Sequence, residues 1–113
     1  SLSKWSDKLE LRLPYIPSGA SHTAHMFQLV MRSSEQRERF IKHLAGNGVS
    51  AAFHYQPLHS SEAGTKFSKS VGNFSATEVA ANRLVRLPLW FGMSHSQINS
   101  VIRACLNFRD EEL

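Results

Sequence analysis

Two histidines and a tyrosine lie close together in the segment FHYQPLH, residues 53–59. Histidine titrates near neutral pH, so His54 and His59 could contact a ligand or transfer a proton. The Tyr55 hydroxyl could donate a hydrogen bond to a phosphate or a sugar. The same residues also fit an interpretation with no binding site, in which His54 is a strand-end histidine, His59 a loop histidine and Tyr55 a core tyrosine. From the residues alone, this second interpretation is favoured.

Other residue types that could do chemistry are weaker candidates. A metal ion needs three or four converging ligands, and the spacing of His22 and His25 on an extended segment predicts side chains on opposite faces. Cys105 lies among apolar helix residues, which predicts a buried, inert thiol. Lys66 and Lys69 fall in a polar loop, where a lysine is solvated and poorly suited to a Schiff base. No metal site and no catalytic residue are therefore expected.

The composition favours a single globular domain. The chain has 113 residues, of which 42% are hydrophobic and 19% are charged, enough for one core. It has no apolar run of about 20 residues that could span a membrane and no signal-peptide pattern. The single cysteine excludes an internal disulfide and agrees with a cytoplasmic location. The net charge of +4 is dispersed, and the aromatic, basic strands of RNA-binding sheets are missing, so no nucleic-acid or membrane partner is expected.

The predicted elements that position these residues follow the order β-α-β-loop-α-β-α. Alternating residues predict strands at 25–31, 49–55 and 85–89, and Pro88 marks the end of the last strand or an edge position. The first strand-helix-strand segment is expected to form a βαβ unit with a right-handed crossover. Residues 1–24 are expected to be an extended lead-in and residues 56–74 a long loop. The expected fold class is α+β, a two-layer sandwich with helices on one face of a small sheet.

Three helix starts carry the sequence of a capping box, a Ser followed three residues later by Gln or Glu. They are Ser33 with Gln36, Ser75 with Glu78 and Ser94 with Gln97. The glycines of GNG, residues 46–48, should end the first helix. The last helix has one apolar face, formed by Ile98, Val101, Ile102, Cys105 and Leu106, and this face is predicted to be buried.

Three segments together resemble a known family. They are AHMFQLVMRSSEQRERFIKHLAGNGVSAAFHYQPLHSS, ATEVAANRLVRLPLWFGMS and QINSVIRACL. They are similar to the C-terminal domain of the DegT/DnrJ/StrS sugar aminotransferases, pyridoxal-phosphate (PLP) enzymes of fold type I. The resemblance is strongest to a subgroup that acts on a nucleotide-linked 4-keto-6-deoxy sugar, a reaction of polysaccharide biosynthesis.

The resemblance implies a division of labour. Residues 25–113 would be the small C-terminal domain, residues 1–24 the connection between domains, and the large PLP-binding domain would be absent from this chain. His54, Tyr55 and His59 would face the nucleotide-linked sugar. The intact enzyme would be a homodimer that uses PLP and an amino donor such as glutamate, whereas this fragment is expected to bind no PLP and to be inactive. The remaining alternative is a freestanding, non-enzymatic α+β module that binds or senses a ligand.

Overall fold

A computed structural model describes residues 2–110, so Ser1 of the expected lead-in and residues 111–113 of the expected domain lie outside the described residues. The predicted α+β class is confirmed, since helices pack against a three-stranded antiparallel sheet. In chain order the elements are α1 (Leu2–Lys8), β1 (Phe27–Val30), α2 (Ser34–Gly46), β2 (Ala52–Phe53), a 3-10 turn (Leu58–Ser60), α3 (Glu62–Phe67), α4 (Ser75–Arg83), β3 (Leu84–Leu87) and α5 (His95–Asn107). Among these helices none is long and apolar enough to cross a membrane.

The last strand in the sequence is the central strand of the sheet. The strand order is β1-β3-β2, and β3 pairs antiparallel with both neighbours. The first two strands are therefore parallel to each other but are not hydrogen-bonded to each other, so the predicted βαβ unit is split by β3. Pro88 follows the last residue of β3, which confirms the predicted strand end, while the predicted edge position is wrong. At that site Pro88 removes no hydrogen bond from the middle of the sheet.

The core lies between one face of the sheet and the helices. Leu29 and Val85 pair across β1 and β3 and are almost completely buried. Phe40 of α2 is buried between the rings of Trp5, at 6.0 Å, and Phe108, at 5.0 Å, measured between ring centroids. The edge-to-face contact with Phe108 is a preferred geometry for aromatic rings.

The N-terminal segment differs from the expected extended lead-in. Residues 2–8 are helical, and Trp5, Leu9 and Leu11 belong to the buried core. Arg12 then forms an isolated bridge with Val30, which extends the hydrogen bonding at the outer edge of β1. The sequence did not predict this packing. The prolines and glycine of residues 14–19 indicate an extended segment, and the few apolar residues before them form no clear helical pattern. The domain boundary at residue 25 stays a prediction.

Two of the predicted helix caps form and one does not. Ser94 and Gln97 make a complete capping box, and the Ser33 side chain accepts a hydrogen bond from the Gln36 amide. The Ser75 cap is wrong, because Ser75 is already inside α4 and its N–H donates to the Asn73 side chain. The expected loop of residues 56–74 is also partly wrong, since it contains the 3-10 turn and α3, which Ser61 caps by accepting from the Gly64 amide.

The predicted buried face of α5 is only partly buried. Cys105 is buried, and Val101 and Leu106 pack against the core, but Ile98 is 37% exposed. Ile98 and Ile102 instead line an apolar groove of about 200 Å³ together with Trp5, Leu29, Leu89 and Met93. The part of the α5 face that lines this apolar groove is therefore open in the described structure.

A buried polar junction ties the N-terminal helix, α2 and the last described residue together. The Gln36 side chain donates to the Leu9 carbonyl at 3.0 Å and to Asp110 Oδ2 at 2.9 Å, and accepts from the Arg32 amide at 2.8 Å. Arg39 donates twice to Asp110 Oδ1, at 3.0 and 2.7 Å. Arg32 approaches Oδ2 at 3.4 Å. A buried carboxylate is tolerated only with this kind of pairing.

The ionisation of Asp110 reflects two opposing effects. Burial of the carboxylate raises the pKa of Asp110, but hydrogen bonds from Arg39 and Gln36 and the charges of Arg39 and Arg32 outweigh it, so the pKa is lowered from 3.8. A group with a lowered folded pKa stabilises the fold above its unfolded pKa, and that contribution is lost as the pH falls through the folded pKa.

We expect Asp110→Asn to lower the free energy of unfolding at pH 7 by about 1–3 kcal/mol, since a buried charged acceptor is removed from two arginines. The difference between the variant and the wild type should shrink as the pH falls below about 4. Urea denaturation from pH 7 to pH 3 measures both quantities. Hydrogen bonds from its own backbone N–H and from Ser33 and Ser34 lower the pKa of Glu35 to about 2. Because Glu35 is present in both proteins, its contribution to the pH dependence of stability cancels in the difference. If the difference in free energy of unfolding between the two proteins did not change with pH, the negative charge of Asp110 would not be the source of the stabilisation.

A matched pair of leucine truncations tests the position of the core. Leu44 is fully buried, whereas Leu58 is 83% exposed. Leu44→Ala should lower the free energy of unfolding by about 2–5 kcal/mol, and Leu58→Ala should change it by less than about 0.5 kcal/mol. Equal losses in denaturant titrations of the two variants would show that the core is placed wrongly.

Candidate functional site

A polar cleft lies beside the ends of β2 and β3. It has a volume of about 470 Å³, and its polar lining residues are His25, Ser50, His54, Tyr55 and Arg86. The apolar groove adjoins the polar cleft at Leu87, Pro88 and Leu89 but carries almost no polar atoms. Because specific recognition requires a few converging polar groups, the polar cleft is the better candidate for chemistry.

Two of the three predicted site residues lie together in this cleft. His54 and Tyr55 directly follow β2, and their rings are 5.3 Å apart between centroids. Tyr55 is 73% exposed, so the interpretation of this residue as a core tyrosine is wrong. The prediction assumed that the strand continues to Tyr55, which would place Tyr55 on the same face as Phe53. Because β2 ends at Phe53, this alternation does not extend to Tyr55.

The third predicted site residue, His59, makes its contacts elsewhere. Its ring stacks on Phe74 at 4.2 Å between centroids, and its Nε2 lies 2.6 Å from Glu78 Oε1. These contacts join the 3-10 turn to the start of α4, and His59 does not line the polar cleft. The structure thus brings His54 and Tyr55 together and gives His59 a contact that positions the segment after them. A substrate contact for all three residues stays a prediction.

His22 and His25 are closer than the sequence predicts. Their rings stack at 6.4 Å between centroids, so the expectation that they point to opposite faces is wrong. The reason is the left-handed backbone of Ala24, with φ of 54°, which turns the chain between them. The His22 ring accepts a hydrogen bond from the Ala24 amide at 2.8 Å. Within residues 2–110, no group of three or more His, Cys, Asp or Glu side chains is arranged to hold a metal ion.

Sequence reasoning missed Arg86. This residue lies on the central strand, its guanidinium is 5.2 Å from the centroid of the Tyr55 ring, and it lines the polar cleft. A cation over an aromatic face is attracted to the ring's negative potential. The signal was available in the segment VRLPL, where Arg86 alternates with the apolar Val85 and Leu87 and must therefore face away from them.

Among residues 2–110, the reactive residue types that a PLP site requires do not converge. All five lysines, Lys4, Lys8, Lys42, Lys66 and Lys69, are exposed, and none lines the polar cleft. A Schiff-base lysine needs a desolvated or positively charged environment to lower its pKa, so the described residues do not fit PLP. Cys105 is buried as predicted, and burial raises the pKa of its thiol to about 11, although a backbone hydrogen bond opposes the shift.

The family model for the DegT/DnrJ/EryC1/StrS aminotransferase family matches residues 3–106 of the chain. Among solved structures, the chain is similar to an aminotransferase, TlmJ, from Streptoalloteichus hindustanus, with 26% identity and a TM-score of 0.72. A DegT/DnrJ/EryC1/StrS aminotransferase from Brucella abortus has 19% identity and the same TM-score of 0.72. A candidate sugar aminotransferase from Streptococcus pneumoniae, in its PLP form, has 17% identity and a TM-score of 0.71.

These matches cover most of this chain but little of the matched proteins. The alignments span 92%, 91% and 92% of the chain, and in each case 28% of the matched structure. At 19% and 17% identity, the second and third likenesses concern the fold alone.

The contact between His59 and Glu78 yields a stability prediction. His59→Ala should lower the free energy of unfolding by about 0.5–1.5 kcal/mol, because it removes a hydrogen bond and a ring contact from a half-buried side chain. His95→Ala is the matched control, since His95 is exposed at the start of α5, and it should change the value by less than about 0.5 kcal/mol. Denaturant titrations check both, and a His59 variant as stable as the control would remove the assigned role.

Proposed function

The chain belongs to the DegT/DnrJ/EryC1/StrS aminotransferase family, and on this premise we propose that it is the small domain of a PLP-dependent sugar aminotransferase. The intact enzyme would transfer an amino group from a donor such as glutamate to a nucleotide-linked 4-keto-6-deoxy sugar. The proposed type is dTDP-4-amino-4,6-dideoxygalactose transaminase. The match to the family model over residues 3–106 is the observation that carries the proposal.

Two observations support the proposed division between this chain and the rest of the enzyme. The described side chains offer no desolvated lysine for PLP, and the chain spans 28% of the structures that it matches. PLP bound to the intact enzyme would act as the electron sink of amino transfer. This chain would contribute the polar cleft, where its side chains bind and orient the sugar nucleotide.

His54 and Tyr55 have separate tasks in this proposal. The His54 ring is half-buried beside β2, so its orientation is restricted and it can hold a substrate hydroxyl in one place. The exposed Tyr55 hydroxyl can donate a hydrogen bond to the sugar or to a phosphate oxygen. His59 would act indirectly, because its contacts with Phe74 and Glu78 set the path of the chain that follows Tyr55.

In the intact enzyme, His54→Ala and Tyr55→Phe should each lower kcat/KM for a nucleotide-linked 4-keto-6-deoxy sugar by about tenfold or more, the loss expected for one hydrogen bond to a bound substrate. PLP content, followed by its absorbance, should be unchanged. His95→Ala should keep wild-type kinetics. Unchanged amino transfer in both cleft variants would contradict the proposed contacts.

The 113-residue chain alone tests the proposed division. Titration with PLP, borohydride reduction and peptide mapping should give weak labelling spread over several exposed lysines. One saturable lysine together with amino transfer would show that the catalytic centre lies in this chain. If the intact protein binds a ligand in the cleft but transfers no amino group, the non-enzymatic module is supported instead.

A further inference from the structure

The face of the sheet that carries Arg86 is the face opposite the core. Cross-strand pairing places Gln28, Arg86 and Ala52 side by side on one face, whereas Leu29 and Val85 share the other. The buried core covers the Leu29 side. Arg86 therefore stands in the middle of the sheet on its more open, polar side.

Two nitrogen atoms beside the polar cleft are enclosed without a hydrogen-bond partner. They are Nε of Arg86 and Nδ1 of His54. Gln28 lies directly opposite Arg86, and its Oε1 is also unpaired, so the two side chains do not satisfy each other. Buried polar groups are normally paired, and unpaired ones in a native protein call for an explanation.

We propose that Arg86 and His54 form a subsite for an oxyanion in the polar cleft. A guanidinium is suited to carboxylate and phosphate, because its N–H groups can donate in pairs to two oxygens. The residues that line the cleft include Arg86 and two histidines, and no Asp or Glu. The local charge therefore favours an anion, and the two unpaired nitrogens supply hydrogen-bonding capacity that the protein does not use.

Tyr55 covers the subsite. Its ring lies 5.2 Å from the Arg86 guanidinium and 5.3 Å from the His54 ring, yet the side chain is 73% exposed, so most of it faces solvent. An entering anion displaces the ring and gains access to the enclosed Nε–H. Charge-assisted hydrogen bonds with the anion then replace the weaker contact between cation and ring.

Two sources could supply the oxyanion, and naming them rests on the proposed function. One is the diphosphate of the nucleotide-linked sugar, and the other is a carboxylate of the amino donor. The cleft volume of about 470 Å³ falls in the range typical of small-molecule sites. Binding of the anion itself does not depend on amino transfer.

The test uses the 113-residue chain labelled with ¹⁵N. Inorganic pyrophosphate and L-glutamate are titrated separately, while NMR follows the Arg86 Nε–H and the His54 ring nitrogens. Saturable shifts of both groups with one probe support the subsite and identify its source. If neither probe shifts the Arg86 Nε–H signal at the highest concentration titrated, the inference is overturned. This result is obtained with the wild-type chain, so it does not depend on whether a variant folds.

A matched pair of variants locates the binding. Arg86→Gln should raise the Kd for the bound probe by about tenfold or more, because a charge-assisted hydrogen bond is lost. Arg103→Gln removes the same charge from an exposed position on α5 outside the cleft, and should change Kd by less than about twofold at 0.15 M salt. Equal weakening by both variants would indicate general charge attraction and sink the subsite. If Arg86→Gln does not fold, as checked by circular dichroism, Arg86→Lys replaces it. Arg86→Lys should also weaken binding, because an ammonium group cannot donate the paired hydrogen bonds of a guanidinium.

The two proposals fail in different ways. Anion binding at Arg86 in a protein whose intact form transfers no amino group would keep the subsite and reject the enzyme. Amino transfer by the intact enzyme without a shift at Arg86 would keep the enzyme and reject the subsite.

Discussion

The buried amide of Gln36 is the contact on which the arrangement of the chain depends. It joins the Leu9 carbonyl, the Arg32 backbone and the Asp110 carboxylate, three groups far apart in sequence. Replacing this amide by an apolar group would leave a buried carboxylate short of one donor, which is costly in a low-dielectric interior. The N-terminal helix and the final described residue are thus positioned by one side chain, and the aromatic contacts of Phe40 form beneath it.

The two faces of the sheet separate the core from the candidate site. One face, with Leu29 and Val85, is buried in the core, and the other carries Arg86 beside the polar cleft. Because successive residues of a strand point to opposite faces, each residue of β3 serves one task or the other. Substitutions at the cleft-facing positions of β3 should therefore leave the core contacts intact.

The sequence predicted the elements whose signals are local. The Ser33 and Ser94 caps and the end of α2 at the glycines follow from residues a few positions apart, and the structure shows all of them. Features that depend on distant contacts were missed. The helix at residues 2–8 owes its place to packing on Phe40, and Glu78 pairs with His59 instead of completing a cap.

The lining of the candidate site was predicted in part for the same reason. His54 and Tyr55 are adjacent in the sequence, so one motif locates both. Arg86 joins them only because β3 inserts beside β2, which no local pattern reveals. Its alternation with Val85 and Leu87 could predict the face it occupies, but not the neighbour it meets. Similarly, the spacing of Ile98 and Ile102 defines a helix face without saying what covers it.

The position of β3 in the sheet also constrains how the chain folds. The first two strands are not hydrogen-bonded to each other, and both pair with β3, residues 84–87. Bringing β3 to β1 closes the chain between residues 30 and 84, which costs conformational entropy before the strands gain their hydrogen bonds. Topologies with many such distant contacts fold slowly. On a ribosome, the edges of β1 and β2 that pair with β3 would remain unpaired until residues 84–87 had emerged. The transient hazard is therefore greatest in this interval, when exposed edges can pair with the wrong partner.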